Sequence, residues 1–215
     1  MPAFTGWPPA ALTFLADLEA NNDRDWFKAN RERYDELCAM PALALGTDLA
    51  DLGTPKLFRP WNDTRFRPGP PIKEHVGLAI GYEGAGGWYV QLALDGLLVA
   101  AGLHAPKPDQ VARLRAAIDD GRKAAALTRA LAVARAAGLS LNEPDLVRVP
   151  RGYDADHPRA ELLRRRGLTV SQTYPATAWL HKAAAYDRIR ETLDAAAPMV
   201  NWLRRHVGPS QVPGR

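Results

Sequence analysis

The chain has a single cysteine, Cys38, among its 215 residues. A lone thiol excludes an intramolecular disulfide and any thiolate cluster that would hold zinc. Its place one helical turn after Tyr34 suits a packed position better than a nucleophile's. Long apolar runs are missing too, since no stretch reaches the ~18 residues needed to cross a bilayer as a helix. The opening Met1-Pro2-Ala3-Phe4 lacks the basic segment of a signal peptide, so the expectation is a cytoplasmic protein without a membrane partner. Charge of one sign is also scarce: 28 Lys and Arg against 24 Asp and Glu leave +4, mild for a nucleic-acid binder. The histidines, His75, His104, His157, His181 and His206, show no close ligand spacing, and the expected metal content is none. No Gly-x-Ser-x-Gly elbow marks a nucleophilic serine. The glycine-rich Gly81-Tyr82-Glu83-Gly84-Ala85-Gly86-Gly87 lacks a following Lys-Ser/Thr pair and reads as a hairpin turn, leaving no cofactor signature.

What is present is enough apolar residue, 47%, to fill one sizeable core, in segments whose period alternates between helix and strand. Pro8 and Pro9 suit a first helical turn, and Leu12, Leu15 and Leu18 with Phe14 predict a helix over about 9–20. Asp23 or Asn22 can cap a second helix on which Phe27, Tyr34, Leu37 and Cys38 share a face, completing a helical hairpin. Trp26 and Phe27 are consecutive, so one ring must point inward and the other must cover a neighbouring element. Arg24 and the side chain of Asn21 or Asn22 are expected to tie the helix junction. Pro41 starts a third helix, which Gly53-Thr54-Pro55 ends.

From Val76 the period becomes that of strands, with runs over 76–82, 87–94 and 97–103. Asp95-Gly96 predicts a tight two-residue hairpin with positive φ at both positions. On the middle strand Trp88, Val90, Leu92 and Leu94 alternate with Tyr89, Gln91, Ala93 and Asp95, so one face should be drier than the other. Lys56 to Trp61 adds an edge strand, where Pro60 cannot donate to a ladder. Helices are then expected with Val111, Leu114, Ala117 and Ile118 on one face, over about 122–137, from Pro158 to Gly167, and over about 178–196 with a stop at Pro198. Short strands are expected at Leu146–Val149 and Leu168–Tyr174, and a frayed tail at 209–215. The sum is an α+β fold in one domain over 1–208, an antiparallel meander sheet packed with N-terminal and C-terminal helices.

Polar residues concentrate in two places. The segment from Lys56 to His75 holds Lys56, Arg59, Arg65, Arg67 and Lys73 against Asp63 and Glu74. A guanidinium fork can hold phosphate or carboxylate through two bonds, and an ammonium adds a point charge. An ion-pair network of Arg59, Asp63 and Arg65 that pins the loop is the structural alternative. The second concentration is Pro150-Arg151-Gly152-Tyr153-Asp154-Ala155-Asp156-His157-Pro158. It can bind a cation, serve acid and base roles, or cap the following helix through Asp156 or His157.

Three stretches carry a family resemblance: Asn21-Asn22-x-Arg24-x-Trp26-Phe27, Lys56-x-Phe58-Arg59-x-x-x-Asp63-x-Arg65-Phe66 with Lys73-x-His75, and the Pro150 to Pro158 run. In this order the chain resembles the uncharacterised microbial family catalogued as domain of unknown function 2461, over nearly its whole length. The resemblance implies one α+β domain and marks these polar residues as family features, and it brings no activity, substrate or cofactor. Two departures stand out. Arg67-Pro68-Gly69-Pro70-Pro71-Ile72-Lys73 is a residue shorter than the family's Ser-Lys-Asp-Lys-Thr-Pro-Tyr-Lys stretch, and Asn62 stands where an arginine commonly precedes the aspartate.

Two functional readings follow. In the first, the Lys56–His75 loop meets the Arg151–His157 segment over the sheet and forms a pocket for a small anionic ligand, as a binding site or an enzyme. Arg59, Arg65, Lys73 and Arg151 would hold the anion, and Asp63, His75 and Asp154 would be available for proton transfer. In the second, the basic loop and the run Arg164-Arg165-Arg166 bind nucleic acid or a protein, although such a run also suits a solvated helix end.

Overall fold

The computed structural model describes residues 3–63, 69–82 and 84–212. Helix α1 spans Pro9–Ala20 and buries Ala11, Phe14, Leu15 and Leu18. Its proline lies in the first turn, where no ladder bond needs the missing N–H. The carboxylate of Asp23 then accepts from the N–H groups of Asp25 and Trp26 and starts α2 (Arg24–Ala29). Helix α3 (Arg31–Tyr34) passes through a π turn at Asp35–Ala39 into α4 (Met40–Asp48). Pro41 therefore lies in the opening turn of α4, as expected, although the helical path runs into it through the widened turn. With no proline N–H to continue the α ladder, the backbone widens just before it, and Met40 N–H donates to the Asp35 carbonyl. Phe27 takes the fully buried position. Trp26 is half-buried, its ring 5.8 Å from that of Phe14. Burial pushes the Cys38 thiol up to about 12, so at neutral pH it is a packed, protonated side chain.

The strands form one antiparallel sheet in the order β1 (Pro55–Leu57), β2 (His75–Ile80), β3 (Gly87–Ala93), β4 (Gly96–Leu103), β6 (Leu168–Tyr174), β5 (Ser140–Leu141). The α+β class and the meander hold. β1 lies at the edge, paired with β2 through Lys56 opposite Ala79, and it ends before Pro60 as its missing donor requires. Helix α4 packs on β1 and β2. The contact needs Gly46, where a Cβ would stand 2.8 Å from that of Pro55. On β3, Trp88, Val90 and Leu92 are buried while Tyr89, Gln91 and Ala93 are half-exposed, the expected alternation. Leu94 breaks it at 37% exposure because it has already entered the turn. The hairpin from β3 to β4 turns on Leu94 and Asp95, one residue earlier than Asp95-Gly96. Gly96 has φ 135°, and Ala105 is the one non-glycine residue at positive φ among those described, so two successive positive φ angles do not occur here. Glycine serves a different need at this position, since a Cβ on Gly96 would fall 2.0 Å from the Tyr174 carbonyl oxygen on β6.

Helices α5 (Pro108–Asp119) and α6 (Gly121–Ala136) follow, with Asp120 capping α6 through the N–H groups of Arg122 and Lys123. The expected strand at Leu146–Val149 is absent. That stretch lies between Pro144 and Pro150, exposes Val147 at 90%, and is tied by Leu146 N–H to the Arg164 carbonyl at the end of α7 (Ala160–Leu163). The strand pairing falls to β5, which runs antiparallel to β6 with Ser140 opposite Ser171. A 3₁₀ turn at Ala178–His181 precedes α8, Ala184–His206, so the expected helix from 178 begins later. It also ends later, because Pro198 lies inside α8 on its exposed side. Ala185, Ile189, Leu193, Ala196, Val200 and Leu203 keep one buried stripe on both sides of the proline, and that continuous burial holds the helix through the lost ladder bond. Beyond α8, Ser210 Oγ and Gln211 N–H donate to the Asp109 carboxylate, which tethers the near end of the 209–215 segment expected to fray. Those bonds and Arg113 hold the Asp109 carboxyl down at about 2.

Contacts gather the chain into two units. One comprises Met1–Ile80, Tyr89–Val99 and Thr173–Glu191, and the other Gly81–Trp88, Ala100–Gln172 and Thr192–Arg215. In the first unit Phe27 is the aromatic centre, with Tyr34 and Trp61 each 5.3 Å away at steep angles. Phe27→Ala should cost about 3–5 kcal/mol of stability in denaturant unfolding, the usual range for deleting a fully buried ring.

Candidate functional site

The basic loop belongs to the first unit, and its described limbs run out and back side by side. Phe58 N–H donates to the Gly77 carbonyl, Lys73 N–H to the Pro60 carbonyl at 2.7 Å, and Asn62 N–H to the Pro71 carbonyl at 2.9 Å. Trp61 and Ile72 form an isolated antiparallel bridge. Proline at 60, 70 and 71 removes donors, which confines pairing to these few positions. The limb is fixed from outside by Asn22. Its Oδ1 accepts from Ile72 N–H at 3.0 Å, and its Nδ2 donates to the Ile72 carbonyl at 3.0 Å and to Glu74 Oε1 at 2.8 Å. One carboxamide thus pairs with both backbone groups of a residue 50 positions along the chain, as a neighbouring strand would. Trp61 packs its ring edge-on against Phe27. The family-like stretches around Asn22 and around Arg59 are therefore two halves of one local structure.

This bracing gathers cations. Lys73 Nζ donates to the Arg59 carbonyl at 2.7 Å and stands 5.7 Å from the centre of the Phe58 ring. Among the described residues neither Arg59 nor Lys73 makes an ion pair with a carboxylate; Glu74, the nearest in sequence, turns to Asn22. Burial, and after it the Arg59 charge, lowers the Lys73 pKa from its ordinary value. His75 opens β2 beside them, half-buried. Its pKa is lowered by burial and then by Lys73, with Glu74 acting in the opposite direction, so the imidazole is neutral at pH 7. Of the residues expected to form a site, Arg59, Lys73 and His75 are thus brought together. Asp63 is exposed and engaged, and Arg65 lies outside the described residues.

Arg151 and Asp154 belong to the second unit. Arg151 is exposed in a turn closed by Tyr153 N–H on the Pro150 carbonyl. Asp154 Oδ1 accepts from Asp156 N–H at 3.0 Å, a local turn bond that uses one face of its carboxylate. His157 Nδ1 takes the N–H of Arg159, and its Nε2 lies 3.1 Å from Asp119 Oδ1. The side chain of Arg159 donates to the Ile118 and Asp119 carbonyls, which closes the C-terminal end of α5. The Pro150 to Pro158 run therefore reaches α5 through His157 and Asp119, and the expected cap is not made: α7 starts only at Ala160, its N-cap is Arg159, and neither Asp156 nor His157 caps it. The arginine run divides as well. Arg165 is buried and spends its guanidinium on the Asn142 and Glu161 carbonyls and on Glu161 Oε1. Arg164 reaches the Val147 carbonyl, and Arg166 is exposed.

Among the described residues no group of three or more His, Cys, Asp or Glu is placed to hold a metal ion. The glycine-rich turn between β2 and β3 presents carbonyls and not N–H groups to its neighbours: Gly84 accepts from Gln110, and Gly81 and Gly86 accept from Arg204. No helix is long and apolar enough to cross a membrane among the described residues. The role of Asn22 escaped sequence reasoning, which assigned it to the helix junction. The signal was its place in a stretch shared with the family, but a contact over 50 positions leaves no local spacing to read.

The sequence profile of the family described as conserved hypothetical protein (DUF2461) matches residues 10–202. Comparison with curated proteins and with solved structures returns no match.

Replacing Asn22 by leucine should leave both backbone groups of Ile72 without their partner and cost about 1–3 kcal/mol in unfolding experiments. Native-state hydrogen exchange should quicken at Ile72 and Lys73 and stay unchanged in α5 and α6.

Proposed function

Since the chain belongs to the DUF2461 family, a description that names no activity, the residues have to supply the reading, and we propose that the protein binds a small anionic ligand, a phosphate or carboxylate compound, on the basic loop through Arg59 and Lys73. The observation that carries this reading is a pair of neighbouring cations that, among the described residues, make no ion pair with a carboxylate. Lys73 Nζ sits on the Arg59 carbonyl at 2.7 Å. Burial first and the Arg59 charge second lower the Lys73 pKa, and a bound anion would act against both. A ladder and a carboxamide clamp hold the two described limbs of the loop, which lowers the ordering cost of binding at Arg59 and Lys73. Neutral His75 offers the bound anion a hydrogen-bond partner and can take up a proton when negative charge arrives. Arg65 and Asp63, from the same family-like stretch, are the further candidates for the rim of this site.

Sulfate keeps its charge across the working pH range and makes a clean probe. Titration calorimetry should detect its binding to the wild type, and the double variant Arg59→Met, Lys73→Met should bind at least about tenfold more weakly. The pH dependence has a definite sign. Free His75 has its pKa lowered, and a bound anion favours the imidazolium. Affinity for sulfate should therefore rise as pH falls from about 6.5 toward the lowered value, with uptake of a proton on binding. A His75→Gln variant should lose that slope. Equal affinity of wild type and the double variant, against a chloride control of matched ionic strength, would remove the proposal.

A further inference from the structure

The second unit contains a cleft whose lining residues all belong to that unit. It has a volume of about 910 Å³ and lies between the end of β4, the first turns of α5, the segment after β5 and the start of β6. Its size falls within the ~300–1,000 Å³ typical of sites for small organic ligands. Two further observations set it apart from an incidental groove. The first is Arg115, which projects from α5 into the lining with its Nε buried and without a hydrogen-bond acceptor among the described residues. A buried donor on a permanently charged group is costly to leave unmatched, and a ligand oxygen is what would match it. The second is Ala105 on the rim, with φ 48° immediately before Pro106. Left-handed backbone is disfavoured for alanine, and the residue before a proline is pushed toward extended conformations, so this bend is opposed by local preference twice over. The structure maintains it, with Tyr82 Oη donating to the adjoining His104 carbonyl at 2.8 Å. Strain sustained beside an unmatched buried donor is the pattern of a preorganised binding site.

The lining also states what would fit. Arg115 and Arg166 line the cleft together with Glu143 and Asp145, so its formal charge balances, and Asp145 Oδ2 already accepts from Arg166 N–H at 2.6 Å. A phosphate dianion would gain two guanidinium groups and meet two carboxylates. A zwitterion satisfies both signs. The apolar part of the lining comes from Leu103, Pro106, Pro108, Val111 and Ala112, beside the polar His104, Asn142 and Thr169. We propose that this cleft binds a small zwitterion with an apolar body, of the class of apolar amino acids and short apolar peptides, with its carboxylate on Arg115 and its ammonium toward Glu143 and Asp145. The Asn142 end of the cleft is already fixed, because its Oδ1 accepts from Thr169 N–H at 2.9 Å and its N–H donates to the Thr169 carbonyl at 2.9 Å. These two bonds tie the segment after β5 to the start of β6. The site stands apart from the anion reading of the basic loop and uses none of its residues.

Leucyl-leucine is the probe, compared by calorimetry with its C-terminal amide, its N-acetyl derivative and inorganic phosphate. The expected result is binding of leucyl-leucine with a Kd of about 1 mM or tighter and at least about tenfold weaker binding of the other three. In NMR the dipeptide should move the amide signals of Ala105, Ala112 and Thr169. Arg115→Met should weaken binding at least tenfold. Arg115→Lys, which keeps charge and stem but lacks the Nε donor, should weaken it too. The ligand series on the wild type carries the test by itself should the variants fail to fold. Absence of dipeptide binding, equal binding of the amide, preference for phosphate, or signal changes confined to residues outside the cleft would each overturn the proposal.

Discussion

The carboxamide of Asn22 is the fixed point on which the candidate anion site depends. It pairs with both backbone groups of Ile72 and with Glu74, in a limb where proline at 70 and 71 leaves few donors for a ladder. A loop this rich in proline and positive charge would otherwise keep many conformations. Pinning it at Ile72 sets the direction of Lys73, whose ammonium then reaches the Arg59 carbonyl, and sets the start of β2 at His75. The clamp also occupies Glu74, the carboxylate that would most readily have neutralised the neighbouring cations. Asn22 owes its own position to the Asp23 cap of α2 and to Phe27, which holds α2 against Trp61 of the same loop. One cap, one amide and one aromatic contact thus turn a flexible basic segment into a braced cationic shelf.

The second unit shows arginine in the opposite role. Arg113 bonds the Val207 and Pro209 carbonyls and Asp109, Arg159 closes the end of α5, and Arg165 is buried on backbone carbonyls. In each case the fork satisfies carbonyls that helix ends and irregular segments leave unpaired. These three arginines are structural, whereas among the described residues Arg59 makes no ion pair with a carboxylate and Arg115 keeps a buried Nε without an acceptor.

Much of the fold was legible because local chemistry decides it. The α1 boundaries follow from proline at the start and the apolar stripe, β3 shows the alternation that Trp88, Val90 and Leu92 prescribe, and β6 occupies the residues its pattern gives. The errors lie where tertiary contacts outweigh local signals. Pro198 reads as a stop, yet a buried stripe on either side carries α8 through it. Asp95-Gly96 reads as a turn with two positive φ angles, yet Gly96 is needed for the close approach of Tyr174 and the turn falls one residue earlier. Leu146–Val149 reads as a strand, yet it is held by the end of α7. The cationic loop was legible as composition and as a family-like stretch. Its geometry was not, because the amide that shapes it lies 50 residues away, and the cleft around Arg115 draws on four segments with no shared spacing.

If burial and the Arg59 charge hold the Lys73 ammonium at a disadvantage that an anion offsets, the effect is read most directly by NMR titration of that ammonium in protein carrying labelled lysine, with and without sulfate. The expected result is a pKa below the ordinary lysine value in the free protein, a rise toward or past that value when sulfate is added, and a rise in the free protein when Arg59 is replaced by methionine. A Lys73 that titrates as an ordinary lysine and does not respond to sulfate would contradict it.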